Sequence, residues 1–370
     1  MNLLKTALKF VGVLLLIAVT ALAVTLSYDK NCPTPETVEQ LAGGITAVSY
    51  HCYGGPNVLV LQQIEKPVPA DNEVLVKVHS AGVNPLDWHY MRGSPYFLRL
   101  GSGIGAPANT RLGVDFAGTV EAVGSTVTLF KPGDAVFGGR TGAFGQYITV
   151  RETGAIAHKP DSISFDQAGS VAIAAVTALQ ALGDKGQLQA GQKVLINGAS
   201  GGVGTFAVQI ARAMGAEVTG VSSARNHELV SSLGASHMID YKTTNYTEGS
   251  ERYDLIVDMI GNHSVGANSS VLKPGGRLVM VGGGKGDWFG PMIGPLAALV
   301  QSPFIEQEII LFIASLSQKD MKKLADLMAS GEVAPVIDRT FALDRISEAI
   351  AYSESGRARG KIVVTGINSH

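Results

Sequence analysis

Two cysteines in 370 residues, Cys32 and Cys52, are too few to ligate a structural zinc through four thiolates or to build a disulfide framework. The pair reads as two unrelated thiols, joined only if the domain is exported to an oxidising compartment. Charged residues make up 16% of the chain, short of the roughly one quarter usual in soluble proteins. Lysines and arginines form no cluster and the formal net charge is −2. A phosphate-backbone binder carries a basic footprint that is lacking here, so nucleic acid is not an expected partner.

What the chain does have is apolar bulk and glycine. A hydrophobic content of 46% over 370 residues supplies two cores of ordinary size. The 45 glycines are scattered rather than periodic, as tight turns and close backbone approaches require. Part of the charge deficit is one run: between Lys9 and Asp29 stand nineteen uncharged, mostly apolar residues, Phe10 to Tyr28. As a helix they would span about 28 Å, just enough to cross a bilayer. With no polar face, the run is unsuited to a buried core helix. It is expected to be an uncleaved membrane anchor. The competing reading is a signal peptide, with Lys5 and Lys9 as its basic region and Ala21-Leu22-Ala23 as a cleavage site. Residues 29–44, with Pro33 and Pro35, read as a linker.

From Ile45 onward, short alternating strands are broken by turns, at Ile45 to Ser49, Val58 to Gln62, Glu73 to His79, Gly118 to Val123 and Ala135 to Phe137. An Ala-rich helix, Asp166 to Leu182, then opens a βαβ alternation with strands at Val194 to Asn197, Glu217 to Val221, Leu255 to Met259 and Arg277 to Val281. The predicted fold is α/β: a Rossmann-type doubly wound parallel sheet beside a β-rich domain. The tail, with helices at Lys319 to Ala329 and Leu343 to Glu354 and strands near Val336 to Phe341 and Lys361 to Thr365, is expected to rejoin the first domain. The predicted boundaries are an anchor or signal at 1–28, a β-rich domain at 45–167 completed by 317–370, and the doubly wound domain at 168–316.

The run Val194-Leu-Ile-Asn-Gly-Ala-Ser-Gly-Gly-Val-Gly204 passes from a strand through a glycine-rich turn into a helical pattern, Thr205 to Met214. Gly198 suits the tight turn, Gly201 and Gly202 let backbone approach a pyrophosphate, and Gly204 lets helix pack on strand. Ser200 and Val203 lie in the same turn. Helix N-terminal N–H groups there would face the anion. At the end of the second strand an NAD site needs an acid, but this chain has Ser222, Ser223, Ala224 and Arg225. Hydroxyls and a guanidinium suit a 2′-phosphate, so the expected cofactor is NADPH. Gly261, Asn262, Gly282, Gly283 and Gly284 follow strands at the sheet's C-terminal edge and are expected to line the cofactor groove.

Together with the glycine-rich turn, the motifs Tyr53-Gly-Gly-Pro56, Ala81-Gly-Val-Asn-Pro-Leu-Asp87, Leu112-Gly-Val-Asp-Phe-Ala-Gly118, Lys131-Pro-Gly-Asp134 and Arg359-Gly-Lys-Ile-Val363 resemble the zinc-free quinone oxidoreductase, or zeta-crystallin-like, branch of the medium-chain dehydrogenases/reductases. The likeness runs from Ile45 to Gly366. It implies a GroES-like catalytic domain around a Rossmann domain, with the active site between them. By that resemblance Tyr241 caps the 2′-phosphate beside Ser223 and Arg225, and Thr177 stands on the nicotinamide side. Lys361 reaches the cofactor in this branch, although residue by residue it reads as a solvated strand-end lysine. Where the zinc-dependent branch has its catalytic cysteine and its Gly-His-Glu, this chain has Asn84 and Gly113-Val114-Asp115, so no metal site is expected.

Without a Lewis acid, conjugate reduction of a quinone or enone is easier to support than alcohol oxidation. Hydrogen-bond donors must then hold a developing enolate or phenolate oxygen. Asn84 is the first candidate donor and Tyr90 the second; Asp87 reads as a backbone brace and His89 as a surface residue. A zinc-free alcohol or aldehyde dehydrogenase, and a membrane-tethered NADPH-binding assembly or sensor protein, are the rival readings. The expected partners are a small-molecule substrate, the membrane and a second copy of the chain. Lys5, Lys9 and the amino terminus outnumber Lys30 and point the catalytic domain outward, whereas NADPH is a cytosolic cofactor, so the membrane face stays open.

Overall fold

The computed structural model describes residues 2–32, 41–283, 286–288 and 306–368, so Gly284 lies outside the described residues. Helix α1, Asn2–Ser27, comes first. Its stretch Phe10–Ser27 is long and apolar enough to cross a membrane by length and composition. From Phe10 to Val24 its large apolar side chains are exposed, and Leu26 is the first to be buried, at 6%. There the helix meets the folded body. Cys32 and Cys52 are joined in a disulfide, with Cα atoms 5.1 Å apart. The reading as unrelated thiols is thereby corrected: neighbouring Asp29 and Lys30 run against Gly105, which brings the linker back to the turn that carries Cys52.

Strands β1, Ile45–Ser49, and β2, Val60–Ile64, form a two-stranded antiparallel pair. The main sheet of the first domain is built on β3, Glu73–Val83, and β4, Asp115–Val123, with helices α2, Pro85–Arg92, and α3, Arg99–Ser102, between them. Strands β5, Ala135–Gly139, β6, Tyr147–Arg151, and β7, Ile156–His158, extend that sheet. One core is filled by strand residues such as Val74, Val76, Phe116 and Ile148, joined by Phe144 from the turn before β6.

The long Ala-rich helix breaks in two, α4, Phe165–Ala168, and α5, Ala172–Gln180. A Cβ on Gly169 would lie 2.6 Å from Ser80 Oγ, so the break lets β3 and the helix segment approach closely. Seven residues of α5 are buried, mostly alanine, as a helix packed on all sides requires. The second domain then alternates β8, Lys193–Asn197, α6, Gly202–Ala213, β9, Glu217–Ser222, α7, His227–Ser232, β10, His237–Asp240, β11, Tyr253–Asp258, α8, Val265–Ser270, β12, Leu272–Met280, and β13, Glu308–Leu311. Among the described residues its strands lie in one parallel sheet of order β10-β9-β8-β11-β12-β13. The strand order reverses once, where the chain crosses from β10 back to β11 beside β8, and that switch point opens a crevice at the C-terminal edge, where doubly wound sheets bind ligands.

The tail returns to the first domain. β14, Ile337–Phe341, pairs in parallel with β15, Lys361–Thr365, and β15 pairs antiparallel with β3. This places the start of β15 between the end of β3 and the glycine-rich turn.

Candidate active site

Gly198 turns the chain after β8 at φ +92°, a conformation that L side chains rarely adopt. Gly201 caps α6 in extended conformation. A Cβ on Gly204 would come within 2.2 Å of Gly198 O, so any side chain there would push the helix off the turn. The result is a shallow cradle of backbone N–H groups at a twelve-residue helix, which fits a dinucleotide pyrophosphate. Ser200 is held in the turn by Asn226, whose amide donates to its hydroxyl at 2.9 Å. Val203 is half-buried behind it.

At the ends of β9 and β10, Ser222 and Ser223 are buried while Arg225 and Tyr241 are exposed. The Tyr241 N–H donates to Ser222 O at 3.3 Å, which brings the two strand ends together. Arg225 has no ion-pair partner among the described residues, so its charge is available to a ligand. Across the sheet, Gly261 has φ +67°, and a Cβ on Gly282 would lie 2.0 Å from Met259 O. Gly282 and Gly283 pack against this turn. Two residues that sequence reasoning missed hold it. Asp258 Oδ1 accepts from the Ile260 and Gly261 N–H groups and from Asn197 Nδ2, and the same amide donates to Asn262 Oδ1 at 2.8 Å. A buried acid and a buried amide at adjacent strand ends are the signal that could have found them.

The first domain meets this edge through Lys361. Its stem lies against the glycine-rich turn, since a Cβ on Gly202 would be 3.2 Å from Lys361 Cδ. The side chain is 3% exposed, so the expectation of a solvated strand-end lysine is corrected: strand pairing of β15 with β3 carries it inside. Its ammonium donates to Asn84 Oδ1, to Val83 O at 3.3 Å and to Asp115 Oδ2 at 3.3 Å. The other Asp115 oxygen accepts from the Ile173 N–H at 2.8 Å, and the Thr177 hydroxyl donates to Ile173 O at 2.7 Å. Asn84, Asp115, Thr177 and Lys361 are thus one connected network between the domains. A buried ammonium and carboxylate offset each other's desolvation only while both are present.

Beside the network is a cavity of about 210 Å³, lined by Tyr50, Asp87, Tyr90, Arg111, Val114 and neighbours on the same loops. Asn84 is not among its lining residues; its carboxamide oxygen is taken by Lys361, and its Nδ2 reaches only Gly82 O, at 3.4 Å. Tyr90, by contrast, faces the cavity at the edge of α2. Tyr50 and Arg111 were not singled out from the sequence, because each lies just ahead of a motif, and only the bridge between Ser49 and Arg111 brings them to one wall. Asp87 is fully enclosed and accepts from the Asn84 N–H at 2.8 Å and the Gly113 N–H at 3.2 Å. Burial, helped by nearby Asp115, raises its pKa to about 7 against the pull of those donors and of Lys361. Burial also pushes the Tyr50 hydroxyl well up, so it stays a proton donor, and lowers the Arg111 guanidinium. Arg111 Nε has no partner among the described residues. His89, expected at the surface, is half-buried: it stacks on Trp88 with centroids 3.7 Å apart, its Nδ1–H donates to Ser94 O at 2.7 Å, and burial lowers its pKa.

The positions that would ligate a catalytic zinc do not fit one. Val114 offers no donor atom, and Asn84 and Asp115 already bind an ammonium whose charge would repel a second cation. Among the described residues no three His, Cys, Asp or Glu side chains gather as a metal-ligating group.

Family models match the chain in two stretches, as an alcohol dehydrogenase GroES-like domain over residues 70–161 and as a zinc-binding dehydrogenase over residues 233–364. Quinone oxidoreductase of Sus scrofa is 32% identical over 337 residues, covering 86% of this chain and 97% of its own. A 2-methylene-furan-3-one reductase of Solanum lycopersicum is 30% identical over 364 residues, 93% of this chain and 86% of its own. Among solved structures, the quinone oxidoreductase from Coxiella burnetii superposes with a TM-score of 0.76 at 29% identity, covering 87% of this chain and 99% of that one.

Proposed function

The chain belongs to the quinone oxidoreductase branch of the medium-chain dehydrogenases/reductases, and we propose that it reduces quinones or α,β-unsaturated carbonyls with NADPH and without zinc. Membership makes it an oxidoreductase that uses a nicotinamide cofactor. The observation that carries the finer reading is the Lys361 ammonium, bound by the side chains that stand where a metal's ligands would be. With these groups engaged by one another, the donors facing the adjoining cavity are the Tyr50 and Tyr90 hydroxyls and Arg111, in place of a Lewis acid. A conjugated acceptor needs no more than that, because the charge that develops on its distal oxygen can be held by donors alone.

NADPH supplies the hydride when bound. Ser222, Ser223, Arg225 and Tyr241 would hold its 2′-phosphate, and the turn from Gly198 to Gly204 its pyrophosphate. The Tyr90 and Tyr50 hydroxyls line the cavity and donate to the enolate or phenolate oxygen, with Arg111 adding positive charge from the same wall. Asp87 fixes the loops that carry these groups by accepting from two backbone N–H groups. Water delivers the last proton. Lys361, Asn84 and Asp115 set the distance between the cavity wall and the cofactor turn, so they are positioning residues. The proposal includes a single-pass anchor formed by α1.

Purified full-length protein should oxidise NADPH in the presence of quinones, alkenals or alkenones and leave saturated aldehydes untouched. Turnover should survive dialysis against a chelator. Carbonyl reduction without conjugation, or loss of activity together with one zinc per chain, would refute the proposal.

A further inference from the structure

The end of α1 is gripped by the catalytic domain rather than hanging from a free tether. Arg99, 1% exposed, donates from Nη1 to Leu26 O at 2.9 Å and Tyr28 O at 3.1 Å and pairs with Asp29 at 2.8 Å. These carbonyls belong to the last turn of α1 and the residues after it, where an α-helix leaves acceptors unpaired and carries partial negative charge. The rest of the guanidinium donates to Gly93 O and Arg92 O and lies between the rings of Tyr53 and Tyr96, at 4.4 and 4.6 Å. The Lys30 N–H donates to Gly105 O at 2.8 Å, and the disulfide to Cys52 closes the linker just beyond.

This grip sets the height of the domain above the membrane. The apolar run of α1 ends at Tyr28, and Asp29 and Lys30 follow, so that point stands at the headgroup level of any bilayer α1 crosses. A Cβ on Gly105 would be 3.2 Å from the Tyr28 ring, which puts the loop from Tyr96 to Gly105 at the same level. That loop exposes Phe97 at 40%, Leu100 at 66% and Ile104 at 48%, next to Tyr28 at 57%. Large apolar side chains beside the exit of an apolar helix are continuous with its lipid-facing surface. The same short helix, α3, that carries Arg99 and Leu100 ends at Ser102, which lines the cavity.

We infer that the Phe97, Leu100 and Ile104 face rests in the lipid surface and that the cavity takes its substrate from the lipid phase: a quinone or enone bearing a long hydrocarbon tail. The substrate class rests on the function proposed above; the lipid contact rests on the anchor. Tyr50, Tyr90 and Arg111 meet the oxygen-bearing head of such a molecule while its tail stays in the bilayer.

The test uses full-length protein in phosphatidylcholine vesicles. Leu100→Cys introduces one free thiol into a chain whose two native cysteines are paired. A fluorophore on it should be quenched by lipids spin-labelled near the headgroup. Absence of quenching while α1 resists carbonate extraction overturns the lipid contact. Leu100→Glu combined with Ile104→Glu should lower turnover of a polyprenyl-tailed benzoquinone about tenfold, the effect of roughly 1.4 kcal/mol, and leave the same ring with a methyl in place of the tail unchanged. Equal effects on both quinones, or none on either, overturn entry from the lipid phase. If the parent protein turns over neither quinone, the substrate class falls, and the quenching still decides the lipid contact by itself.

Discussion

Lys361 and Arg225 carry opposite lessons about single residues. The place of Arg225 was legible in the sequence because it is local: the residue is exposed just after the end of β9, where an NAD site needs an acid, and its hold on a 2′-phosphate is the proposal to be tested. Arg225→Ala should weaken NADPH binding about tenfold or more and leave NADH binding nearly unchanged, since a charge-assisted bond to phosphate contributes about 1.5 to 3 kcal/mol. Calorimetric titration of both cofactors checks this, and equal losses would remove the 2′-phosphate assignment. Lys361 was not legible, because its partners Asn84 and Asp115 lie 277 and 246 positions away and only the pairing of β15 with β3 brings them together. Lys361→Met leaves a buried carboxylate unpaired and should destabilise the fold by about 3 to 5 kcal/mol in denaturant titration. Adding Asp115→Asn should recover much of that loss; no recovery would mean that the two side chains are not coupled. Asp87 sets a pH dependence on the same network. Its pKa in the folded state, about 7, is above the ordinary carboxylate value, so the folded state binds the extra proton. Its contribution to stability is therefore complete below the usual carboxylate range and is lost as pH rises to about 7, and Asp87→Asn should flatten that decline.

At the level of elements, the strands with clear alternation or long apolar runs were readable, and the ones missed are short or at sheet margins: β6, β7, β10 and β13. Residues 166–182 read as one helix because alanine favours helix throughout; the break at Gly169 comes from the close approach of Ser80, a tertiary fact with no local signature. The apolar run of α1 was plain in the sequence, whereas the Arg99 grip on its end spans about seventy positions and was not. The same holds for the Cys32 to Cys52 pair, where spacing alone says nothing of proximity. We propose that the catalytic domain stands on the oxidising side of the proposed membrane, a placement favoured by the disulfide and by Lys5 and Lys9, which precede the apolar stretch of α1; NADPH must then be supplied there. On non-reducing isolation the protein should accept no maleimide label until reduced, and two labels per chain afterwards. Two reactive thiols in the untreated protein would place the domain in a reducing compartment.

Taken as a whole molecule, the two domains contribute different halves of one site: the parallel sheet offers the glycine-rich turn and the Arg225 corner, and the antiparallel domain offers the cavity and the Lys361 network. The division of the sequence between them was apparent from the change of periodicity near Phe165, but the contact that joins them was not, because it depends on the tail folding back as β15. What the joined site is for reduces to the destination of one hydride. With NADPH carrying deuterium at C4 and an alkenone as acceptor, mass spectrometry and NMR of the product read that destination directly. The account predicts a saturated ketone with deuterium on the β-carbon. Deuterium on the carbonyl carbon, in an allylic alcohol with its double bond intact, would contradict it.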